Sequence, residues 1–159
     1  MPAGESDQGL ESWFRMSGMN FEMRQLLAGP LFHGAPHSAA FNGLYSGNTL
    51  IMPAAFDAAL MVSLIKKYQV EYVQMVPTLM QRIIKLPDFN PEDLKSLKAL
   101  CHTGGICSLD LKRQWLDIIP PENLYEIYSM SECIGMTCIR GDEWLEHELS
   151  LIHISEPTR

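Results

Sequence analysis

Short apolar runs alternate with segments of helical periodicity through the middle of this sequence. Leu60, Leu64, Ile65 and Tyr68 recur at the three- to four-residue spacing that places side chains on one face of a helix. Four runs rich in apolar, β-branched and aromatic residues are typical of strands, and they cover residues 48–52, 70–76, 99–103 and 123–128.

Capping residues and prolines indicate where the helices begin and end. Asp57 and Ser108 are good caps for the helices that follow them. Pro77 suits the first turn of a helix over 78–86, because the N–H that proline lacks would have no helical partner there. The other predicted segments are a helix over 109–118 ended by Pro120-Pro121, a short helical turn opened by Asn90-Pro91, and a helix-like segment over 36–45.

The order of these elements predicts the fold class. Strands that alternate with helices indicate an α/β fold, with a mostly parallel open sheet, right-handed crossovers and helices on both faces. Ligands of such sheets bind just past the carboxyl ends of the strands. Here those ends are predicted at Pro77-Thr78, at Gly104-Gly105 and at residues 129–132, which carry small, hydroxyl-bearing or acidic side chains.

Composition narrows the class of protein. The chain has 159 residues, 47% of them hydrophobic, which suits one globular domain. A net charge of −7 gives no basic surface and argues against a nucleic-acid partner. The sequence has no transmembrane-length apolar run and its start does not resemble a signal peptide, so we expect a cytoplasmic protein with reduced cysteines.

Candidate chemistry concentrates in residues 128–132, where a ring, hydroxyls and a carboxylate follow a predicted strand. Tyr128 could stack on a base, Ser131 could meet a phosphate oxygen and Glu132 could hold Mg²⁺. The alternative is that Ser131 and Glu132 simply begin a helix. Gly104-Gly105 could let the backbone approach a ligand closely, or could be a plain turn between a strand and a helix.

Other features leave alternatives open. His33 could contact a ligand at a pocket mouth or serve a structural role. A zinc site could be drawn from Cys101, His102 and Cys107 with Cys133 or Cys138, although these residues have no tight metal-ligand spacing. The sequence contains no GxGxxG or Walker phosphate motif and no GxSxG nucleophile elbow.

Five motifs, taken in order, resemble the adenylate-forming superfamily and, more narrowly, its acyl-CoA synthetases. They are PLFH at 30–33, VPT at 76–78, TGG at 103–105, YSMSE at 128–132 and GDEWLEH at 141–147. The resemblance implies the N-terminal domain fold of these enzymes. It also implies that ATP with Mg²⁺ converts a carboxylic acid to an acyl-adenylate, from which the acyl group passes to coenzyme A.

The resemblance also implies roles for individual residues. Tyr128 would stack on adenine within a nucleotide-binding stretch that includes Ser129 and Met130, while Ser131 would contact the phosphates and Glu132 would coordinate Mg²⁺. The backbone of Gly104, Gly105, Ile106 and Cys107 would flank the adenine and the acyl pocket. His33 and Gly105 would contact the acyl substrate. The YSMSE motif departs from the family pattern, glycine-tyrosine-glycine-x-threonine-glutamate, at Ile127, Ser129 and Ser131.

We expect three regions in the chain. Residues 1–20 form a poorly defined N-terminal segment without a predicted element, and residues 21–148 form a partial adenylation domain. Residues 149–159, LSLIHISEPTR, resemble a translated sequencing adapter. A fragment of an acyl-CoA synthetase for a hydrophobic acid is therefore expected, inactive without the rest of its chain. A peptide-synthetase adenylation domain and a non-catalytic α/β binding module are the alternatives.

Overall fold

The computed structural model describes residues 8–129 and 135–147. This part of the chain contains six helices and six strands, which alternate except that the last two strands follow one another. The helices are α1 (Gln8–Ser17), α2 (Gly34–Tyr45), α3 (Ala58–Tyr68), α4 (Pro77–Ile84), α5 (Leu109–Leu116) and α6 (Gly141–His147). The strands are β1 (Arg24–Leu27), β2 (Thr49–Ile51), β3 (Tyr72–Met75), β4 (Ala99–His102), β5 (Leu124–Ser129) and β6 (Met136–Arg140). Single 3₁₀ turns lie at Pro91–Leu94 and Pro121–Asn123.

The strands form one sheet in the order β2-β1-β3-β4-β5-β6. All neighbouring pairs from β2 to β5 are parallel, whereas β6 runs antiparallel to β5. The prediction of a mostly parallel open α/β sheet is confirmed. Because strands β1 to β5 share one direction, their carboxyl ends lie along the same edge of the sheet.

Helices cover both faces of the sheet, as predicted. The larger core lies between one face and helices α3, α4 and α5, and it includes Val73, Leu100 and Trp115. The smaller core lies on the other face, where Trp13 of α1 packs with Tyr72 and Ile127 of the strands. Successive strand residues therefore enter different cores, because side chains alternate across a strand.

Local signals for the helix starts are confirmed. The carboxylate of Asp57 accepts a hydrogen bond from the Leu60 N–H, and the hydroxyl of Ser108 accepts one from the Leu111 N–H. Pro77 occupies the first turn of α4, as its missing N–H suggested. The side chain of Asn90 likewise caps the short helical turn that begins at Pro91.

Three elements depart from the sequence prediction. Helix α1 lies before Phe21, where no helix or strand was predicted, and it contributes Trp13 to the smaller core. Strand β1 was missed because it has four residues and starts with two polar ones, Arg24 and Gln25. Strand β6 was also missed, since four of its five side chains are exposed and give no apolar run. None of the helices in the described ranges is long and apolar enough to cross a bilayer.

Candidate active site

A cavity of about 550 Å³ lies at the carboxyl-terminal edge of the sheet. It is bordered by the loops after β1, β3 and β4, by the end of β5 and by the first turns of α2 and α4. The three strand ends that the sequence marked as ligand-binding positions meet here, because Thr78, Gly104 and Ser129 all line the cavity. Parallel pairing brings these distant positions together.

Gly104 gives the cavity a close backbone wall. Its φ of +77° lies in the left-handed region, which residues with a side chain rarely adopt. A Cβ atom at this position would lie 3.4 Å from Cγ1 of Val76, an ordinary contact, so the backbone conformation rather than crowding favours glycine. Gly104 therefore fits both interpretations: it forms the turn after β4, and it lines the cavity where a ligand could approach the backbone.

His33 lies at the mouth of the cavity, where α2 begins. It precedes the first residue of α2 and makes no side-chain capping hydrogen bond. Its ring centroid is 4.4 Å from that of Phe32, which is 83% exposed. Since His33 is one of the lining residues, the position is open to a ligand as well as to solvent.

The other predicted residues of the TGG loop lie outside the cavity lining. A Cβ on Gly105 would contact Cδ of Pro77 at 3.8 Å, and Ile106 is 76% exposed. Cys107 turns inward and packs in the larger core. Burial, with a contribution from the charge of Glu126, raises the pKa of the Cys107 thiol to about 11, so this thiol is neutral at physiological pH.

The predicted nucleotide motif is described in part. Tyr128 is half-exposed on β5, two residues after Glu126 and therefore on the same side of the strand. Ser129 forms part of the cavity wall from the end of that strand. Met130, Ser131 and Glu132 lie outside the described residues, so their predicted roles remain predictions.

Three ionisable side chains lie buried on the α5 side of β4 and β5. The ammonium of Lys112 donates a hydrogen bond to the carboxylate of Glu126, and Lys112 Nζ lies 5.1 Å from the centroid of the Trp144 ring. His102 pairs in register with Glu126 across the two strands. Burial, together with the positive charge of Lys112, lowers the pKa of His102 to about 3, so its imidazole is neutral.

Sequence reasoning missed several residues that line the cavity. Trp13 comes from the unpredicted helix α1, and Met136 begins the unpredicted strand β6. Gln74 and Arg82 lie on elements that were predicted, but neither belongs to a recognised motif. A signal for Gln74 was present, since a single amide within the apolar run 70–76 needs a partner when the strand is buried.

The zinc alternative does not fit the observed geometry. Cys101 packs in the smaller core against α1, whereas Cys107 packs in the larger core on the opposite face of the sheet. The sheet therefore separates two of the residues that this site would need. Within residues 8–129 and 135–147, no three His, Cys, Asp or Glu side chains are grouped so as to hold a metal ion.

Comparison with known families matches this chain to one of them. The family model described as AMP-binding enzyme matches residues 8–156. The chain belongs to the AMP-binding enzymes. The resemblance carried by the five sequence motifs is thereby confirmed, and the described part of this AMP-binding enzyme supplies the cavity, the TGG loop and the start of the YSMSE motif.

Curated relatives of this AMP-binding enzyme include CoA ligases. It is 30% identical over 104 residues to 4-coumarate–CoA ligase 3 of Oryza sativa subsp. japonica, covering 65% of this chain and 19% of that protein. It is 32% identical over 131 residues to 2-succinylbenzoate–CoA ligase of Bacillus licheniformis, covering 80% of this chain and 26% of that protein. The chain thus spans about a fifth to a quarter of the length of these relatives.

A solved structure supports the same architecture. The N-terminal domain of FACL13 from Mycobacterium tuberculosis superposes with a TM-score of 0.74 at 24% identity, covering 87% of this chain and 34% of that one. At this identity the likeness concerns the fold. The fold of this chain therefore matches about a third of the N-terminal domain of an adenylate-forming enzyme.

Proposed function

We propose that this chain is part of an AMP-forming acyl-CoA ligase whose cavity receives a hydrophobic carboxylic acid. In the proposed reaction a carboxylate oxygen of the acid attacks the α-phosphorus of ATP, and pyrophosphate leaves. The sulfur of coenzyme A then attacks the acyl carbonyl carbon, and AMP leaves with the electron pair of the broken C–O bond. The observation that carries the proposal is the cavity at the carboxyl ends of the strands, in a chain of the AMP-binding family.

The lining of the cavity suits a hydrophobic acyl group. Phe56, Met75, Leu79, Ile127 and Met136 contribute apolar surface from five separate segments of the chain. Cavities of about 300 to 1,000 Å³ with mostly apolar walls are typical of small-molecule sites. A volume of about 550 Å³ is large enough for a medium-length or ring-containing acid, whereas acetate would fill only a small part of it.

Polar groups at the rim suit the carboxylate and the nucleotide. Thr78 and Ser129 offer hydroxyl groups, and Arg82 brings a positive charge that favours an anion. The proposed adenine position lies beside the half-exposed ring of Tyr128, with Gly104 allowing close approach of the backbone. On the basis of the family motif, the proposal also assigns phosphate contact to Ser131 and Mg²⁺ binding to Glu132.

Ligand titration of the purified chain tests the proposal. We would titrate AMP and two acyl-adenosine sulfamates, with dodecanoyl and cinnamoyl groups, and compare wild type with Gly104→Ala. Gly47→Ala is the matched control, because Gly47 has a φ of +73° and open space around it but does not line the cavity. We expect binding to weaken at least tenfold in Gly104→Ala and to stay unchanged in Gly47→Ala.

A wild-type chain that folds but binds none of the three probes would contradict the proposal. ATP–pyrophosphate exchange by the same preparation separates binding from turnover. Because the chain spans a fifth to a quarter of its relatives, we expect binding without exchange. Measurable exchange would show that the groups needed for adenylation are all present in these 159 residues.

A further inference from the structure

Two residues that line the cavity each carry a buried polar atom without a hydrogen-bond partner. Within residues 8–129 and 135–147, seven buried side-chain nitrogen or oxygen atoms have no hydrogen-bond partner. Two of them, Nε1 of Trp13 and Oε1 of Gln74, belong to residues that line the cavity. The others belong to side chains outside its lining. A buried polar group without a partner is costly, so its position in a ligand site calls for an explanation.

Gln74 is held with its carbonyl oxygen unused. It lies in the interior of β3 with its side chain toward the smaller core, and the residue is 8% exposed. Its amide nitrogen lies 3.9 Å from Sγ of Cys101 on the neighbouring strand, where the two residues pair in register. This contact occupies the donor end of the amide, while Oε1 accepts no hydrogen bond from the described residues.

An unmet acceptor of this kind destabilises the free protein. A leucine or methionine of similar size at this position would avoid that cost. The surrounding side chains do not explain why an amide occupies this position, since Trp13, Tyr72 and Ile127 form an apolar cluster on this face. A ligand that donates a hydrogen bond would recover the cost when it binds.

Trp13 supplies the complementary group. The indole N–H is a donor only, and it is buried without an acceptor among the described residues. A hydroxyl group can donate one hydrogen bond and accept another, so it matches a wall that offers an unused acceptor and an unused donor. A hydrocarbon chain would leave both groups unpaired.

We propose that Gln74 is a specificity residue that accepts a hydrogen bond from a hydroxyl group on the acyl part of the substrate. The substrate class is then a hydrophobic carboxylic acid that carries a hydroxyl group away from its carboxylate. This inference rests on the proposed function, because it assumes that the acyl group occupies this cavity.

Matched pairs of acids test the inference on the 159-residue chain. The pairs are 4-hydroxycinnamate with cinnamate, 12-hydroxydodecanoate with dodecanoate, and 3-hydroxycholanate with cholanate. Binding is followed by tryptophan fluorescence, since Trp13 lines the cavity while Trp115 and Trp144 are fully buried elsewhere. We expect the hydroxylated member of at least one pair to bind about 3- to 10-fold more tightly, the ratio that one hydrogen bond supplies.

Gln74→Met removes the acceptor and keeps the length of the side chain. This variant should bind both members of the preferred pair equally, with no loss of affinity for the unhydroxylated acid. Gln114→Met is the control, because Gln114 is exposed on α5 and lies outside the cavity lining. The control should retain the preference of the wild type.

The outcomes separate this inference from the proposed function. Equal affinity for both members of every pair in the wild type overturns the inference and leaves the proposed acid site intact. A preference that persists in Gln74→Met also overturns it. Failure of all six acids to bind overturns the proposed acid site and the inference together. If Gln74→Met does not fold, Gln74→Leu takes its place, and equal affinity in the wild type still overturns the inference.

Discussion

Lys112 of α5 and Glu126 of β5 form an ion pair that is shielded from solvent. Their side chains are 2% and 6% exposed, and the ammonium also faces the ring of Trp144 in α6. The pair therefore connects α5 and α6 to β5, the strand whose last residue, Ser129, lines the cavity. Breaking such a pair leaves one charge buried without compensation, which costs far more than the loss of a surface pair.

We predict that Lys112→Met lowers the free energy of unfolding by about 3 to 5 kcal/mol, because Glu126 stays buried and unpaired. The control is Lys66→Met. Lys66 pairs with Asp93 at 2.8 Å but is 65% exposed, so its loss should cost less than about 1 kcal/mol. Urea unfolding of the three proteins measures both differences.

The double variant Lys112→Met/Glu126→Leu shows where the cost arises. Replacing both charges removes the uncompensated carboxylate, so most of the stability should return. Equal destabilisation by Lys112→Met and Lys66→Met would contradict a shielded pair.

His102 makes the stability of the fold depend on pH. Burial and the charge of Lys112 lower its pKa in the folded chain to about 3, below its ordinary value of 6.5. Between these values the unfolded chain binds a proton that the folded chain does not. The contribution of neutral His102 is therefore complete above about pH 6.5 and is lost as the pH falls toward 3, by up to about 1.4 kcal/mol per pH unit.

His102→Phe should flatten this dependence between pH 5 and pH 7.5, because phenylalanine does not titrate. Acidic groups whose pKa is lowered, such as Glu71 and Asp142, lose their contribution at lower pH and do not affect this range. His37→Phe is the control, since His37 is exposed on α2. Urea midpoints at five pH values provide the measurement, and an unchanged slope in His102→Phe would refute the assignment.

Local signals in the sequence predicted the parts of the fold that depend on local physics. The caps at Asp57 and Ser108 and the proline at Pro77 act within one helical turn, and the structure confirms them. Strand β6 depends instead on antiparallel pairing with β5, and its mostly exposed side chains carry no apolar signal of their own. Pairing between segments is not encoded in the periodicity of either segment.

The residues of the candidate site also fall into two groups, those that the sequence predicted and those that it did not. Parallel strands place their carboxyl ends at one edge, so the positions of Thr78, Gly104 and Ser129 followed from the element order. Trp13 and Gln74 reach the cavity through packing of α1 against the sheet and through the register of β3 with β4. Both relations are tertiary contacts, which cannot be predicted from one segment of the sequence at a time.

Gly18 packs against the sheet more closely than a side chain allows. Its φ is +73°, and an added Cβ would overlap the ring of Tyr125 and lie 2.7 Å from Cβ of Ala99. We predict that Gly18→Ala costs about 2 to 4 kcal/mol, from backbone strain and overpacking together. Gly47→Ala has the same φ with nothing within 4 Å, so it should cost only the strain, about 1 to 2 kcal/mol. Thermal unfolding compares the two, and equal losses would show that Gly18 is not closely packed.

The thiols should differ sharply in reactivity. Burial raises the pKa of Cys101 to about 12 and that of Cys107 to about 11. Desolvation and the charge of Glu143 also raise the pKa of Cys138, but this side chain is exposed on β6 and accessible to reagents. Thiolate is the reactive form, so an aromatic disulfide reagent at pH 8 should modify Cys138 first. In a Cys133→Ser background, one thiol should react in the folded protein and two more only after urea is added. Rapid reaction of all three without denaturant would contradict the burial of Cys101 and Cys107 in the two cores.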